Sequence, residues 1–120
     1  MTSMKVLKFG GTSVQNAENI TKTIAIIKEN LAKEQLVVVV SALGGVTNML
    51  IECCSKAEKG TTDFTQTLTE IKNRHFETIN NLLSGSYKDD CEQYTNDVLS
   101  ELKDILTGIS LIRELTPRSL

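Results

Sequence analysis

A lysine beside a pair of glycines is the first feature of this sequence that could take part in chemistry. Lys8 lies at the carboxyl end of an apolar segment, Gly10 and Gly11 follow after Phe9, and the hydroxyl residues Thr12 and Ser13 come next. Glycines let a phosphate approach the backbone closely, and oriented amides in such turns form concavities that bind anions. A lysine at the rim adds a positive charge for a phosphoryl group in transfer. These residues predict an oxyanion site with Lys8 as its catalytic group.

A second turn that contains glycines carries two further hydroxyl residues. Ser41 follows the apolar residues 36–40, Gly44 and Gly45 come next, and Thr47 lies where a helix should begin. Both hydroxyls could donate hydrogen bonds to a ligand, and the amides at the start of that helix could bind an anion. Capping of the helix is an equally good interpretation of Thr47, and the two roles are compatible. We expect this turn to contribute to the same site.

Other common catalytic and nucleotide-binding patterns are absent from the sequence. No Gly-Lys-Ser/Thr follows the first glycines at P-loop spacing, and the Gly-x-Gly-x-x-Gly fingerprint of dinucleotide-binding proteins does not occur. His75 is the only histidine and lies on an apolar helical stripe, where a packed core role is far more common than a catalytic one. Three acidic residues, Asp89, Asp90 and Glu92, should begin a helix and complement its dipole, so we predict no metal site.

The pattern of apolar residues places both turns at one edge of a parallel sheet. We predict a strand over residues 4–9. A helix should follow, because Asn16 is a good N-cap and an apolar stripe runs from Ala17 to Leu31. The apolar run at residues 36–40 predicts a second strand that is covered on both faces. This order is a βαβ unit with a right-handed crossover. Ligands of open α/β sheets bind at the carboxyl edge of the strands. We therefore expect the two turns to converge there.

The remaining sequence predicts helices rather than strands. We predict a second helix that begins at Val46 and stops at Gly60. A capping box formed by Asp63 and Gln66 should open a long third helix. Residues 84–86 separate this third helix from a fourth. We expect the last two helices to form an antiparallel hairpin. Their predicted inner faces are Leu68, Ile71, His75, Ile79 and Leu82 in one helix, and Cys91, Tyr94, Val98, Leu102 and Ile105 in the other.

We interpret the chain as one partial domain with three parts. Residues 1–60 form the βαβα segment with the candidate site, residues 61–107 form the helical hairpin, and residues 108–120 lead into a further helix. Thr116 and Pro117 resemble the N-cap and first position of that helix. Two parallel strands do not make a self-sufficient sheet. We therefore expect further strands from additional sequence or from another molecule.

Composition restricts the class of protein. The chain has 120 residues, 40% of them hydrophobic, and a net charge of −2, which is typical of one small domain and leaves no basic face for nucleic acid. No apolar run is long enough for a signal peptide or a membrane span. The sequence has three cysteines, Cys53, Cys54 and Cys91. Because an odd number cannot all pair within the chain, this count favours reduced thiols in the cytoplasm. We expect all three cysteines to be structural.

Two blocks of the sequence resemble the aspartokinases of the amino acid kinase superfamily. Residues 5–14, which contain Lys-Phe-Gly-Gly-Thr-Ser, are similar to their amino-terminal signature. Residues 38–48, which contain Val-Ser-Ala-Leu-Gly-Gly-Val-Thr-Asn, are similar to a second block. Residues 108–120 resemble the stretch before the Gly-Glu motif of that family, most of all in forms fused to homoserine dehydrogenase. The resemblance covers the whole chain. It implies the amino-terminal part of a three-layer αβα kinase fold.

The resemblance also implies a role for each candidate residue. Aspartokinases use ATP and Mg²⁺ to phosphorylate the side-chain carboxylate of L-aspartate, on the route to lysine, threonine and methionine. Lys8 would neutralise the transferring phosphoryl group. Ser41 would lie near that group or near aspartate, and Thr47 would contact aspartate. The residues that would bind the ATP phosphates together with Lys8 are Gly10, Gly11, Thr12 and Ser13.

Two alternatives compete with this interpretation. A kinase of the glutamate or carbamate type would also use an amino-terminal lysine and a glycine turn, although the Thr-Ser after Gly11 favours an aspartokinase. A non-enzymatic helical interaction module would reduce the glycines to a simple turn, and Lys8 within an apolar strand argues against it. The Gly-Glu motif and the nucleoside-binding half of the family do not occur in these residues. We therefore expect the chain alone to be inactive and to form a homo-oligomer.

Overall fold

The computed structural model describes residues 3–115, which fall into two compact units divided after Thr47. The chain is mixed α/β, with two parallel strands followed by helices, as the sequence predicts. Within the described residues, no helix is both long enough and apolar enough to cross a bilayer. In order, the elements are β1 (Met4–Phe9), α1 (Ala17–Leu31), β2 (Gln35–Val40), α2 (Val46–Glu58), α3 (Phe64–Leu82) and α4 (Gly85–Leu115).

The first unit is a βαβ unit in which α1 connects the two strands. β1 and β2 pair in parallel, and their register runs from Met4 opposite Gln35 to Phe9 opposite Val40. Asn16 caps α1 as predicted, because its Oδ1 accepts a hydrogen bond of 2.9 Å from the amide of Asn19. This connection brings the ends of both strands, and the turns that follow them, to one edge of the sheet.

The sheet is only partly covered by the described residues. Four consecutive valines of β2 are between 38% and 59% exposed, and Met4 and Val6 of β1 are exposed as well. The expected cover on both faces is therefore not supplied by this part of the chain. A sheet of two strands has one helix, α1, as its crossover, and one helix can cover only one face. The four valines are Val37, Val38, Val39 and Val40.

The second unit has a small core between its helices. Its four largest fully buried side chains come from three helices, and each is less than 2% exposed. The predicted inner face of α3 is confirmed, because Leu68, Ile71 and Ile79 are buried. Arg113 near the end of α4 donates a hydrogen bond of 2.8 Å to the carbonyl of Glu58 at the end of α2. The four fully buried side chains are Phe64, Ile71, Leu106 and Cys53.

The predicted inner face of α4 is wrong for three of its residues. Tyr94, Val98 and Ile105 are 71%, 45% and 56% exposed, whereas Leu106 is buried. Ile105 and Leu106 are adjacent in sequence and therefore point about 100° apart around the helix. Because apolar residues occupy both positions, the helical period alone does not determine which one packs inward. Packing within the helical unit selects the face that includes Leu106.

Both ends of the helical hairpin differ from the sequence prediction. Asp63 precedes α3 but its side chain makes no capping hydrogen bond, and its own amide donates instead to Thr61 Oγ1 at 3.1 Å. The predicted capping box is therefore wrong. α4 continues to Leu115, so the proposed boundary at residue 107 falls inside a helix. The predicted helix start at residues 116–117 lies outside the described residues.

The three cysteines occupy different environments. Cys53 is buried, Cys91 is half-buried and Cys54 is exposed, and all three are free thiols. Burial raises the pKa of the Cys53 thiol, with smaller contributions from the neighbouring Cys54 and Glu52. A packed, structural cysteine therefore describes Cys53 well, whereas Cys54 is not packed into the core.

Candidate functional site

The two glycine turns of the first unit lie directly against each other. A Cβ atom at Gly44 would be only 3.0 Å from the carbonyl oxygen of Gly11, and a Cβ at Gly11 would be 3.4 Å from the Cα of Gly44. Ser41 Oγ would lie 3.8 Å from the same Cβ at Gly11. The turns therefore converge at the carboxyl edge of the sheet, as the parallel topology predicts. Their contact is close enough to favour glycine at residue 44.

The first turn leaves two backbone amides without acceptors. Gly10 accepts a hydrogen bond of 3.1 Å from the amide of Ser13, which closes a tight turn. The amides of Gly11 and Thr12, inside that turn, donate to no group within residues 3–115. A Cβ placed at Gly10 would meet no atom within 4 Å, so the surface beside it is open. Free amides beside open space are suited to bind an anion.

Lys8 brings a positive charge to this edge. Its side chain is exposed, and it makes no ion pair or hydrogen bond with the residues that the structure describes. Lys5, three positions earlier, differs: its Nζ lies 3.8 Å from Glu34 and donates a hydrogen bond of 3.0 Å to Asn30. Because strand side chains alternate, Lys5 and Lys8 lie on opposite faces of the sheet. Lys5 is thus engaged with α1 and the residues after it, whereas Lys8 remains available.

Two side chains of α1 donate hydrogen bonds to backbone carbonyls of the first turn. Asn19 Nδ2 donates a hydrogen bond of 2.8 Å to the carbonyl of Thr12, and Thr23 Oγ1 donates one of 2.9 Å to the carbonyl of Ser13. Thr23 is 5% exposed. The sequence prediction did not include Asn19 or Thr23. A detectable signal was present, because two polar residues four positions apart lie beside the apolar stripe of α1.

The second turn contributes hydroxyl groups to the same edge. The amide of Ser41 donates to the carbonyl of Phe9 at 3.0 Å and so continues the strand ladder. Gly45 adopts a left-handed conformation with φ of 87°, immediately before α2 begins. The hydroxyls of Ser41 and Thr47 are exposed, and neither forms a hydrogen bond with a described residue. Both are therefore available to a ligand.

The single histidine of the sequence belongs to the second unit. His75 lies on α3 in the second unit, is half-buried, and its Nδ1 is 2.8 Å from the carbonyl oxygen of Ile71. A packed, hydrogen-bonded histidine is what the sequence predicts. Across residues 3–115, no three His, Cys, Asp or Glu side chains form a cluster that could hold a metal ion.

Comparison with known proteins establishes the family. The sequence model of the amino acid kinase family matches residues 3–107. The chain belongs to the amino acid kinase family. A bifunctional aspartokinase/homoserine dehydrogenase of Buchnera aphidicola subsp. Acyrthosiphon pisum is 35% identical to it over 114 residues, which cover 92% of this chain and 14% of that protein.

Further relatives agree with this membership of the amino acid kinase family. Aspartokinase 2 (chloroplastic) of Arabidopsis thaliana is 36% identical over 117 residues, or 95% of this chain and 20% of that protein. An aspartokinase of Rickettsia prowazekii is 54% identical over 52 residues, or 42% of this chain and 12% of that protein. The resemblance to aspartokinases and to their fused forms is thus confirmed. The chain spans about a fifth or less of the length of these relatives.

Proposed function

We propose that this member of the amino acid kinase family is the amino-terminal part of an aspartokinase. The proposed reaction moves the terminal phosphoryl group of ATP to the side-chain carboxylate of L-aspartate. One observation carries the proposal: Lys8 has no partner among the described residues and lies near the carboxyl end of β1, next to a turn with two backbone amides that have no acceptor. Neither turn contains a charged residue of its own. The edge therefore presents a positive charge and hydrogen-bond donors to an anion.

Each group at this edge has a proposed part in phosphoryl transfer. The amides of Gly11 and Thr12 donate hydrogen bonds to ATP phosphate oxygens, and Gly10 leaves room for them. Lys8 acts on the negative charge of the transferring group, where fixed donors and cations stabilise a transition state most. The free hydroxyls of Ser41 and Thr47 point toward the bound aspartate substrate. Positioning of both substrates then supplies much of the rate enhancement.

The described residues at this edge do not fit a magnesium site. Proteins hold Mg²⁺ through one or two carboxylates together with the phosphates of a substrate. Residues 10–15 and 41–47 contain no Asp or Glu. We therefore assign no residue of this chain to the ion and derive no step through it. The lysine and the amides fit the phosphates of ATP.

Replacement of Lys8 in the full-length protein tests the proposal. Lys8→Ala should lower kcat about 100-fold to 1,000-fold, because one preorganised electrostatic group is removed from the transition state. The KM for aspartate should change much less. Lys8→Arg should not restore activity, since a planar guanidinium does not replace a compact ammonium. The matched control is Lys5→Ala, which removes exposed contacts with Glu34 and Asn30 on the opposite face of the sheet and should leave kcat unchanged.

Steady-state ATP consumption in the presence of aspartate measures these changes. A Lys8→Ala protein with nearly normal kcat would show that Lys8 is structural. Replacement of aspartate by glutamate or carbamate should abolish consumption and so separates this proposal from related kinases. The isolated chain spans only a fifth or less of its relatives. We propose that it is inactive alone, and aspartate-dependent ATP consumption by it would contradict this.

A further inference from the structure

Thr23 donates its hydroxyl hydrogen to a residue farther away along the sequence than the other donating threonines of the described helices do. Four helical threonines donate to the carbonyl four residues earlier in their own helix, a common local bond. Thr23 instead donates to Ser13, ten residues earlier and outside α1. It is also the buried residue of α1, at a position where a helix usually places an apolar side chain. The four other threonines are Thr21, Thr69, Thr78 and Thr95.

The bond from Thr23 ends on the turn that presents the free amides. Each peptide plane is rigid, so fixing a carbonyl also fixes the amide of the next residue. Asn19 holds the carbonyl of Thr12 and Thr23 holds that of Ser13, so the two planes at the exit of the turn are attached to α1. Gly10 accepts from Ser13 and thereby fixes the plane that contains the amide of Gly11. The amide of Gly11 is thus attached to α1 through Ser13 and Thr12, and Thr23 holds the last carbonyl of the same turn.

We propose that Thr23 is a positioning residue for phosphate binding, and that Asn19 assists it. Thr23 does not touch the ligand. It holds the Gly10–Ser13 turn against α1, so that the amides of Gly11 and Thr12 are ordered before an anion arrives. Ordering donors in advance lowers the entropic cost of binding. This inference rests on the proposed function, because it assumes that the anion is a phosphate of ATP.

The order of the turn is measurable by NMR relaxation on the chain itself. Order parameters of the Gly11 and Thr12 amides should be about 0.85 in the unchanged chain and below about 0.6 in Thr23→Val, which keeps the side-chain shape but removes the donor. Thr23→Ser should restore the higher value. Thr21→Val is the matched control, since it removes a hydroxyl from the same helix without affecting the turn. Unchanged order parameters in a folded Thr23→Val chain would overturn the proposal.

Kinetics of the full-length protein separate this inference from the proposed function. Thr23→Val should raise the KM for ATP about tenfold, as expected for the loss of about 1.4 kcal/mol of binding free energy, and should change kcat much less than Lys8→Ala does. Thr23→Ser should return the KM to normal. If Lys8→Ala is inactive but Thr23→Val leaves the KM for ATP unchanged, the positioning role is wrong and the proposed function stands. If the turn loosens as expected in a full-length protein that does not use ATP, the proposed function fails instead.

Discussion

The sheet of the first unit and the helices of the second unit bury their apolar residues to different degrees. Val37 and Val40 of β2 are 44% and 59% exposed, whereas Phe64, Ile71 and Leu106 of the helical unit are at most 1% exposed. Hydrophobic burial is the main favourable contribution to folding. The helical unit therefore carries most of the stabilising core, while the sheet unit carries the candidate site and keeps apolar surface exposed.

This difference indicates how stability and chemistry are divided along the chain. The residues proposed to bind and orient an anion lie in the first unit, on turns that are held by hydrogen bonds and by glycine contacts. Residues of the second unit fill a core and include no group of the candidate site. Substitutions in the helical core should therefore change the free energy of unfolding, and substitutions at the turns should change ligand binding and local geometry.

The largest expected effect on stability comes from the helical core. Phe64→Ala should lower the free energy of unfolding by about 3 to 5 kcal/mol, because it removes a fully buried aromatic side chain and leaves a cavity. Tyr94→Ala is the matched control: Tyr94 is 71% exposed, and its removal should change stability by less than about 0.5 kcal/mol. Urea unfolding followed by circular dichroism measures both. Equal effects of the two substitutions would contradict the burial pattern.

Glycine replacements should act in opposite directions in the two units. Gly44→Ala should destabilise the chain by about 1 to 3 kcal/mol, because its Cβ would meet the Gly11 carbonyl at 3.0 Å and that oxygen belongs to the backbone. Gly108→Ala, within α4, meets nothing within 4 Å and should stabilise the chain by about 0.5 to 1 kcal/mol. The same unfolding experiment compares them. A Gly44→Ala chain of normal stability would show that the turns do not depend on this close contact.

Self-association should depend on the exposed sheet rather than on the helices. We expect the chain to form dimers or larger species at high concentration, because exposed apolar strands tend to pair with another copy. Val37→Lys places a charge on the apolar sheet and should weaken dimerisation about tenfold or more. Tyr87→Lys, on the exposed side of α4, is the control and should leave dimerisation unchanged. Analytical ultracentrifugation measures both, and a clean monomer at high concentration would contradict the expectation.

The smallest expected effect is chemical and lies within α2. Cys54 is exposed, whereas burial both hides the Cys53 thiol and raises its pKa, so less reactive thiolate is present at Cys53 near pH 8. Cys54 should therefore react with a disulfide reagent at least about ten times faster than Cys53. Mass spectrometry of the labelled peptides distinguishes the two sites. Faster labelling of Cys53 would show that the helical core opens readily.

Several features of the fold were predictable from local sequence. The bounds of β1, the Asn16 cap and the start of α2 agree with the prediction, because each depends on residues close together in the chain. The convergence of the two glycine turns was also predictable. Parallel pairing of neighbouring strands brings their carboxyl ends to one edge whatever the detailed packing. Lys8 and the turn residues could be named as candidates from the sequence, since a specific local motif contains them.

Tertiary structure decided the features that depend on distant partners. The sequence shows apolar residues at both Ile105 and Leu106, and only packing in the helical unit selects Leu106 for the core. In the sequence, nothing distinguishes Thr23 from the other threonines. In the folded chain, its hydroxyl lies 2.9 Å from the carbonyl oxygen of Ser13. A hydrogen bond needs both partners at the correct distance and angle. Sequence supplies the chemical groups, and for pairs far apart along the chain only the fold supplies that geometry.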